Sequence, residues 1–301
     1  PVSWLGDVYK RQACEGTFVG DRDLVTKEIA GAVTDSRQVQ KDYLFIPIKG
    51  ARVDGHDFIP QVFEKGALVV LSDHALPEET GPYILVSSTT EAMKKIAAFY
   101  RTQLSCKVVG ITGSVGKTST KEMIASVLEQ RYKVLKTEGN FNNEIGLPLT
   151  IFKIRAKHEV AVLEMGISDF GEMHRLAAMA RPDIGVITNI GLCHLENLGT
   201  RDGILQAKTE MFDHLQVDGT VILNGDDDKL STKKEVNGKP VIFYGVGADS
   251  AFDIKKDIYA TDIENHGLEG MCAKIHTPQG DFDAKIPIPG EHNVYLSLIH
   301  I

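Results

Sequence analysis

The sequence predicts an α/β protein of two domains: a small N-terminal α/β domain, then a central domain with a mainly parallel sheet and a β-rich flank. Three observations predict it. Short apolar runs alternate with stretches of helical period, the pattern of a sheet covered by helices. With 301 residues, 43% of them hydrophobic, the chain can bury two ordinary cores. The texture also changes twice, near residue 105, where a first set of alternations closes, and beyond Gly238, where β-rich segments take over.

Residues 1–12 contain no periodic element and are set apart as a foreign or disordered flank. The first domain is read over 13–105. Its apolar strands 43–46 and 67–71 flank an amphipathic stretch at 58–65. A strand at 83–86 precedes a helix over 90–103, on which Met93, Ile96, Ala97 and Tyr100 recur at helical spacing. The central domain is read over 106–295. It opens with the strand 107–112, a glycine-rich turn and a helix from Lys117 to about residue 130. Strands follow at 160–163, 184–187 and 221–223, separated by helical stretches around 173–180 and 204–214. Segments at 241–244, 252–259, 271–276 and 282–286 read as an antiparallel flank of the same domain.

Composition narrows the function. A formal net charge of -8 argues against nucleic acid, whose phosphates are held by clustered Lys and Arg. Cys14, Cys106, Cys193 and Cys272 form no C-x-x-C pair, so neither a cysteine zinc site nor a disulfide framework is indicated. No apolar run is long enough to span a bilayer. The expectation is a cytoplasmic monomer.

The segment Gly113-Ser114-Val115-Gly116-Lys117-Thr118-Ser119 sits between a strand and a helix, as phosphate binding requires. Ile111 occupies the first glycine position of the strict G-x-x-x-x-G-K-[ST] pattern, yet the physics survives. Backbone N–H groups close around phosphate oxygens, the helix N-terminus adds positive potential, Lys117 reaches terminal phosphates and Thr118 can bind Mg²⁺. A nucleotide site follows, but not yet a reaction. The amide-rich 137–148 reads equally as a ligand loop or a turn-rich connection. Glu164, at the C-terminal end of a strand, reads as a Mg²⁺ ligand or as a helix-capping or solvated carboxylate. Alone, His194 reads as structural and Lys208 as a solvated helix-face lysine.

Read together, the motifs resemble a known family. Thr34-Asp35-Ser36-Arg37, Asp54-Gly55-His56-Asp57-Phe58, 111–123, 139–150, Leu163-Glu164-Met165-Gly166, His194-Leu195-Glu196, Ala207-Lys208-Thr209-Glu210 and Gly290-Glu291-His292-Asn293 occur in the order of the Mur ligases. The nearest branch joins D-alanyl-D-alanine to UDP-N-acetylmuramoyl-tripeptide. A sibling that adds one amino acid is the alternative, and it fits less well because Met165-Gly166, rather than serines, follows Glu164. A nucleotide-binding fragment without catalysis is another.

The resemblance implies a P-loop-type central domain and an ATP-dependent amide-bond ligase of peptidoglycan precursor synthesis that works through an acyl phosphate. It implies Mg²⁺ held by Thr118 and Glu164, a second Mg²⁺ helped by His194, and Lys208 as a carbamate facing the metal. It places Gly113 to Ser119, Asn142, Asn143, His292 and Asn293 around ATP, and Ser36 and Arg37 in the loop that receives the UDP-sugar. After Tyr295 the pattern breaks, because Leu296 replaces a second asparagine. Residues 296–301 are therefore set apart as a foreign tail, and a fragment lacking the C-terminal domain is expected.

Overall fold

Strands of three to eight residues, too short to be stable alone, gain their stability by pairing into sheets whose faces helices cover. A computed structural model describes residues 3–4 and 13–301. The flank set apart over 1–12 lies outside the described residues, except that Ser3–Trp4 pairs with Glu28–Ile29. The chain forms two units, Pro1–Ser105 with Glu144–Lys157, and Cys106–Asn143 with His158–Ile301.

The first unit carries strands β1 (Thr17–Val19), β2 (Gly31–Val33), β3 (Tyr43–Phe45), β4 (Val69–Ser72) and β5 (Tyr83–Leu85), in the sheet order β1-β5-β4-β3-β2. The pairs from β2 to β5 are parallel, and β1 joins β5 antiparallel. Helix α1 (Ile59–Glu64) follows a 3₁₀ turn, Gly55–Phe58, whose N-cap Asp54 accepts from the His56 backbone N–H at 3.0 Å. Helix α2 (Thr89–Thr102) begins at Ser88, which accepts from the Glu91 N–H at 3.3 Å. Phe45, Ile59, Val62 and Val70 anchor the core.

The division of the chain differs from its linear reading at one place. Glu144–Lys157, expected inside the central domain, packs with the first unit. The reason is apolar periodicity hidden in a glycine- and amide-rich stretch. Leu147 and Ile151, on α3 (Gly146–Ile151), and Ile154 are fully buried, and α3 packs on α2. The buried Tyr100 hydroxyl donates to the Ile154 carbonyl at 2.5 Å, and Lys94 pairs with Glu144 at 3.2 Å.

The second unit is a nine-stranded sheet. Its strands are β6 (Lys107–Thr112), β7 (Val134–Lys136), β8 (Val160–Glu164), β9 (Ile184–Ile187), β10 (Thr220–Asn224), β11 (Ile242–Val246), β12 (Ile258–Asn265), β13 (Met271–Thr277) and β14 (Gly280–Ile286). The order is β14-β13-β12-β11-β10-β9-β6-β8-β7. From β7 to β12 every pair is parallel, and only the pairs β12–β13 and β13–β14 are antiparallel. The expected antiparallel flank is thus corrected: β11 and β12 extend the parallel sheet, and residues 252–257 precede β12 rather than forming strand. Alternating side chains look the same in either pairing, so periodicity could not separate them.

Both faces of β6 and β8 are covered, which explains their continuous apolar runs. Helices α4 (Lys117–Leu128), α5 (Glu172–Ala180), α6 (Leu195–Leu198) and α7 (Arg201–Thr209) precede the last helix, α8 (His292–Ile299). Helix α8 packs on α4 and β11, with Leu296, Leu298 and Ile299 buried in the core. The stretch set apart as a tail at 296–301 is therefore, up to Ile299, part of a packed helix. Among the described residues no helix is long and apolar enough to cross a membrane.

Candidate functional site

From β6 the chain runs to β7 on one side of it, and β9 later joins on the other, so β6 marks the switch point of the sheet. The C-terminal ends of strands at such a point are where open α/β sheets bind ligands. Gly113 to Gly116 lie there, between β6 and α4. Gly113 has φ +151°, and a Cβ built on it would collide with the Thr188 hydroxyl beyond β9. Gly116 is the left-handed N-cap of α4 at φ 82° and makes no side-chain cap bond. The first backbone N–H groups of α4, at Lys117, Thr118 and Ser119, thus have no partner within the helix and suit an anion.

The end of β9 holds this loop in shape. The Thr188 hydroxyl donates to the Val115 carbonyl at 2.7 Å. The Asn189 side chain accepts from the Val115 N–H and donates to its carbonyl, both at 3.0 Å. Ser114 Oγ accepts from the Gly191 N–H at 2.8 Å.

Glu164, at the end of β8, is 2% exposed. Its Oε2 accepts from the Thr118 hydroxyl at 3.0 Å, and its Oε1 accepts from the Asn142 amide at 2.8 Å. Lys121 Nζ lies 4.0 Å from Oε2 and donates to the Thr137 carbonyl at 2.7 Å, while the Thr137 hydroxyl accepts from the Glu164 N–H. Lys121 was missed by sequence reasoning. The available signal was its position one helical turn beyond Lys117, on the same face of α4.

Two ammonium groups converge on one carbonyl. Lys117 Nζ donates to the Gly113 carbonyl at 2.9 Å, and Lys208 Nζ, from α7, donates to it at 3.2 Å. Lys208 is 1% exposed, so it is no solvated helix-face lysine. Burial lowers its pKa to about 8, with the Cys193 thiol opposing and the Lys117 charge adding to the fall. Helix α7 is fixed just beyond this residue, where the Glu210 carboxylate accepts from the Gly171 and His174 N–H groups at the start of α5.

Beside the loop opens a cleft of about 270 Å³ lined by Thr188, Asn189, Asp226, Tyr244, His292 and Tyr295, among others. Burial, then the Asp226 charge, pushes the Tyr295 phenol well above its ordinary range, so it stays a neutral hydroxyl.

This arrangement has known counterparts. The Mur ligase middle domain matches residues 111–299, and the Mur ligase family catalytic domain matches residues 28–101. The chain belongs to the Mur ligase family. The UDP-N-acetylmuramoyl-tripeptide--D-alanyl-D-alanine ligase of Bacillus subtilis is 42% identical over 268 residues, covering 88% of this chain and 56% of the relative. Among solved structures, MurF from Acinetobacter baumannii superposes with a TM-score of 0.88 at 33% identity, over 99% of this chain and 63% of the other. MurF ligase from Thermotoga maritima in complex with ADP gives 0.78 at 29% identity, over 90% and 61%. The chain thus spans little more than half the length of the curated relative it matches.

Of the residues that the Mur ligase resemblance singled out, six fall into two hydrogen-bonded sets: Lys117 and Lys208 on the Gly113 carbonyl, and Thr118 and Asn142 on Glu164. Ser114 and Val115 belong to the same loop, Val115 with its side chain exposed; Ser119 and Asn143 are exposed nearby in sequence. His194 is exposed and left-handed at φ 57°, as the N-cap of α6. His292 lines the cleft, whereas the Asn293 amide is buried and donates to the Pro289 carbonyl at 2.8 Å. In the first unit, Ser36 is buried, and its carbonyl accepts from Lys65 at 2.9 Å. Arg37 is exposed and grips Asp35 through two nitrogens, lowering that carboxyl to about 2.

Proposed function

We propose that this Mur ligase serves the ATP-dependent joining of D-alanyl-D-alanine to UDP-N-acetylmuramoyl-tripeptide, in the cytoplasm and as a monomer. The observation that carries the proposal is the pairing of a buried carboxylate with a hydroxyl at the mouth of the glycine loop. Glu164 and Thr118 hold their oxygens 3.0 Å apart. Octahedral Mg²⁺, with bonds of about 2.05 Å, needs neighbouring ligands about 2.9 Å apart, so the hard oxygen pair fits it. Bound there, Mg²⁺ would offset phosphate charge.

In this reading the free N–H groups of α4 and the Lys117 ammonium bind and orient the phosphates. The tripeptide carboxylate attacks the γ-phosphorus, ADP leaves, and an acyl phosphate forms. The dipeptide amine then attacks the acyl carbon, inorganic phosphate departs, and the nitrogen loses a proton to leave an amide. A carboxylate is a poor electrophile, and phosphorylation supplies its leaving group.

Lys208 fits a carbamate role by its own chemistry. At a pKa of about 8, about a tenth of it is unprotonated at pH 7, roughly 300-fold more than for a lysine at its ordinary value. That free amine can add to carbon dioxide and shed a proton, which exchanges a buried cation for an anionic oxygen donor. His194 is the proposed second Mg²⁺ ligand, His292 and Asn293 the adenine segment, and Ser36 and Arg37 the UDP-sugar loop. The relative's name supports D-alanyl-D-alanine as the amine.

Calorimetric titration of ADP with Mg²⁺ tests the site. Lys117→Ala should weaken binding at least tenfold, and Glu164→Gln should abolish its Mg²⁺ dependence. Binding unchanged in both variants would refute the site. Mass spectrometry of products formed from ATP, UDP-N-acetylmuramoyl-tripeptide and D-alanyl-D-alanine tests the reaction, and a product formed only from a single amino acid with a shorter UDP-peptide would overturn the substrate assignment.

A further inference from the structure

We infer that His56, Asp73 and His74 form a site in the first unit for a divalent transition-metal cation of the zinc class. His56 lies in the 3₁₀ turn Gly55–Phe58, and Asp73 and His74 directly follow β4. Their ligand atoms all lie within 4.8 Å of one another.

The case rests first on His56. Its side chain is 8% exposed, and its Nδ1 stands 2.7 Å from the Asp54 carboxylate. That carboxylate only accepts, so Nδ1 carries the proton and the lone pair of the neutral ring is left on Nε2. Nε2 is buried without a hydrogen-bond partner. A buried nitrogen of this kind is costly, and a cation would relieve it. The carboxylate behind the ring is the outer partner that metal-bound histidines characteristically have, since it fixes the tautomer and raises ligand basicity.

The second argument is the spacing. His56 Nε2 lies 3.4 Å from Asp73 Oδ1. A tetrahedral zinc site with bonds of about 2.05 Å places its ligands about 3.3 Å apart. His74 Nδ1 lies 2.8 Å from the same carboxylate oxygen, and its ring centre is 4.8 Å from that of His56. A cation would replace the proton that now bridges Asp73 and His74. The turn carrying these two ligands is already held, because the Ser72 hydroxyl donates to the His74 carbonyl at 2.6 Å.

Two imidazoles and one carboxylate make a borderline donor set, which suits zinc and its neighbours rather than Mg²⁺ or Ca²⁺. Asp73 is 40% exposed and His74 56%, so a cation can enter and a water can fill the fourth position. Bound metal would tie the turn before α1 to the end of β4.

The test titrates the intact chain with Zn²⁺ by calorimetry, and with Co²⁺ by visible absorption, in excess Mg²⁺. One equivalent should bind, with the strong Co²⁺ bands of a four-coordinate site. His74→Ala and Asp73→Asn should each weaken binding at least tenfold and remove the Zn²⁺-induced rise in melting temperature. Asp54→Asn, which keeps the helix-turn cap, should weaken it by about 10–100-fold. His74 is exposed, so metal-free His74→Ala should melt as the parent does, and His74→Gln supplies a second reading. Binding that survives both His74→Ala and Asp73→Asn, or no binding by the parent chain, would overturn the assignment.

Discussion

Replacing Gly113 by alanine probes the loop most directly. The residue has φ +151°, a region that L side chains rarely adopt, and its new Cβ would run into the Thr188 hydroxyl. Backbone strain of this kind costs about 1–3 kcal/mol, and overpacking costs about 1–3 kcal/mol more. Displacing Thr188 also breaks its 2.7 Å bond to the Val115 carbonyl, a further loss of about 1 kcal/mol. The sum, about 3–7 kcal/mol, is a large share of the about 5–15 kcal/mol that holds a typical domain together. Thr188→Ala removes the colliding oxygen and leaves the Thr188 Cβ site 3.1 Å away. The double variant Gly113→Ala/Thr188→Ala should therefore be more stable than the sum of the single losses predicts, by about 1–3 kcal/mol. Urea unfolding followed by circular dichroism, run on all four proteins, measures that coupling. Strict additivity, or a single Gly113→Ala cost below about 1 kcal/mol, would refute the claim that Thr188 and the glycine backbone fix the loop together.

Two further outcomes follow from buried groups outside the loop backbone. Lys208→Met removes a buried cation whose pKa falls from 10.5 to about 8 on folding. Below pH 8 both states hold the proton and the folded state bears the whole penalty, about 3 kcal/mol. Between about pH 8 and 10.5 the unfolded state binds more protons, so the parent gains stability as pH rises. In carbon-dioxide-free buffer Lys208→Met should thus be the more stable protein at pH 7, with the gap narrowing above pH 8; a pH-independent gap would contradict the burial argument. Tyr100→Phe removes the 2.5 Å bond from the phenol to the Ile154 carbonyl and leaves that carbonyl to the Arg155 guanidinium at 2.9 Å, at a cost of about 0.5–1.5 kcal/mol. Hydrogen exchange should quicken in α3 and the residues just after it, and unchanged protection there would show that this bond does not hold 144–157 in place.

The glycine loop was legible because everything that defines it is local. An apolar strand, a turn with glycines at special φ and a helix beginning at Lys117 occupy one short stretch, so composition and order sufficed. Individual strands and helices were likewise readable from period. The helix expected over 90–103 is α2, and the strand expected at 184–187 is β9. The segment after residue 137 was harder, since its glycines and amides masked the pair Leu147 and Ile151.

By itself the sequence determined the α/β class, the glycine loop between strand and helix and, through its ordered motifs, the Mur ligase family. Only the tertiary structure decided which distant residues share an environment. Lys208 meets the Gly113 carbonyl across 95 positions, and Glu164 meets Thr118 across 46. It also decided that β11 and β12 run parallel, that α3 joins the first unit, and that His56 faces Asp73 and His74. The physical reason is common to all of these. Period and propensity report which side of an element is buried, whereas sheet order and helix packing fix what it is buried against, and a side chain's charge, tautomer and partners depend on the second.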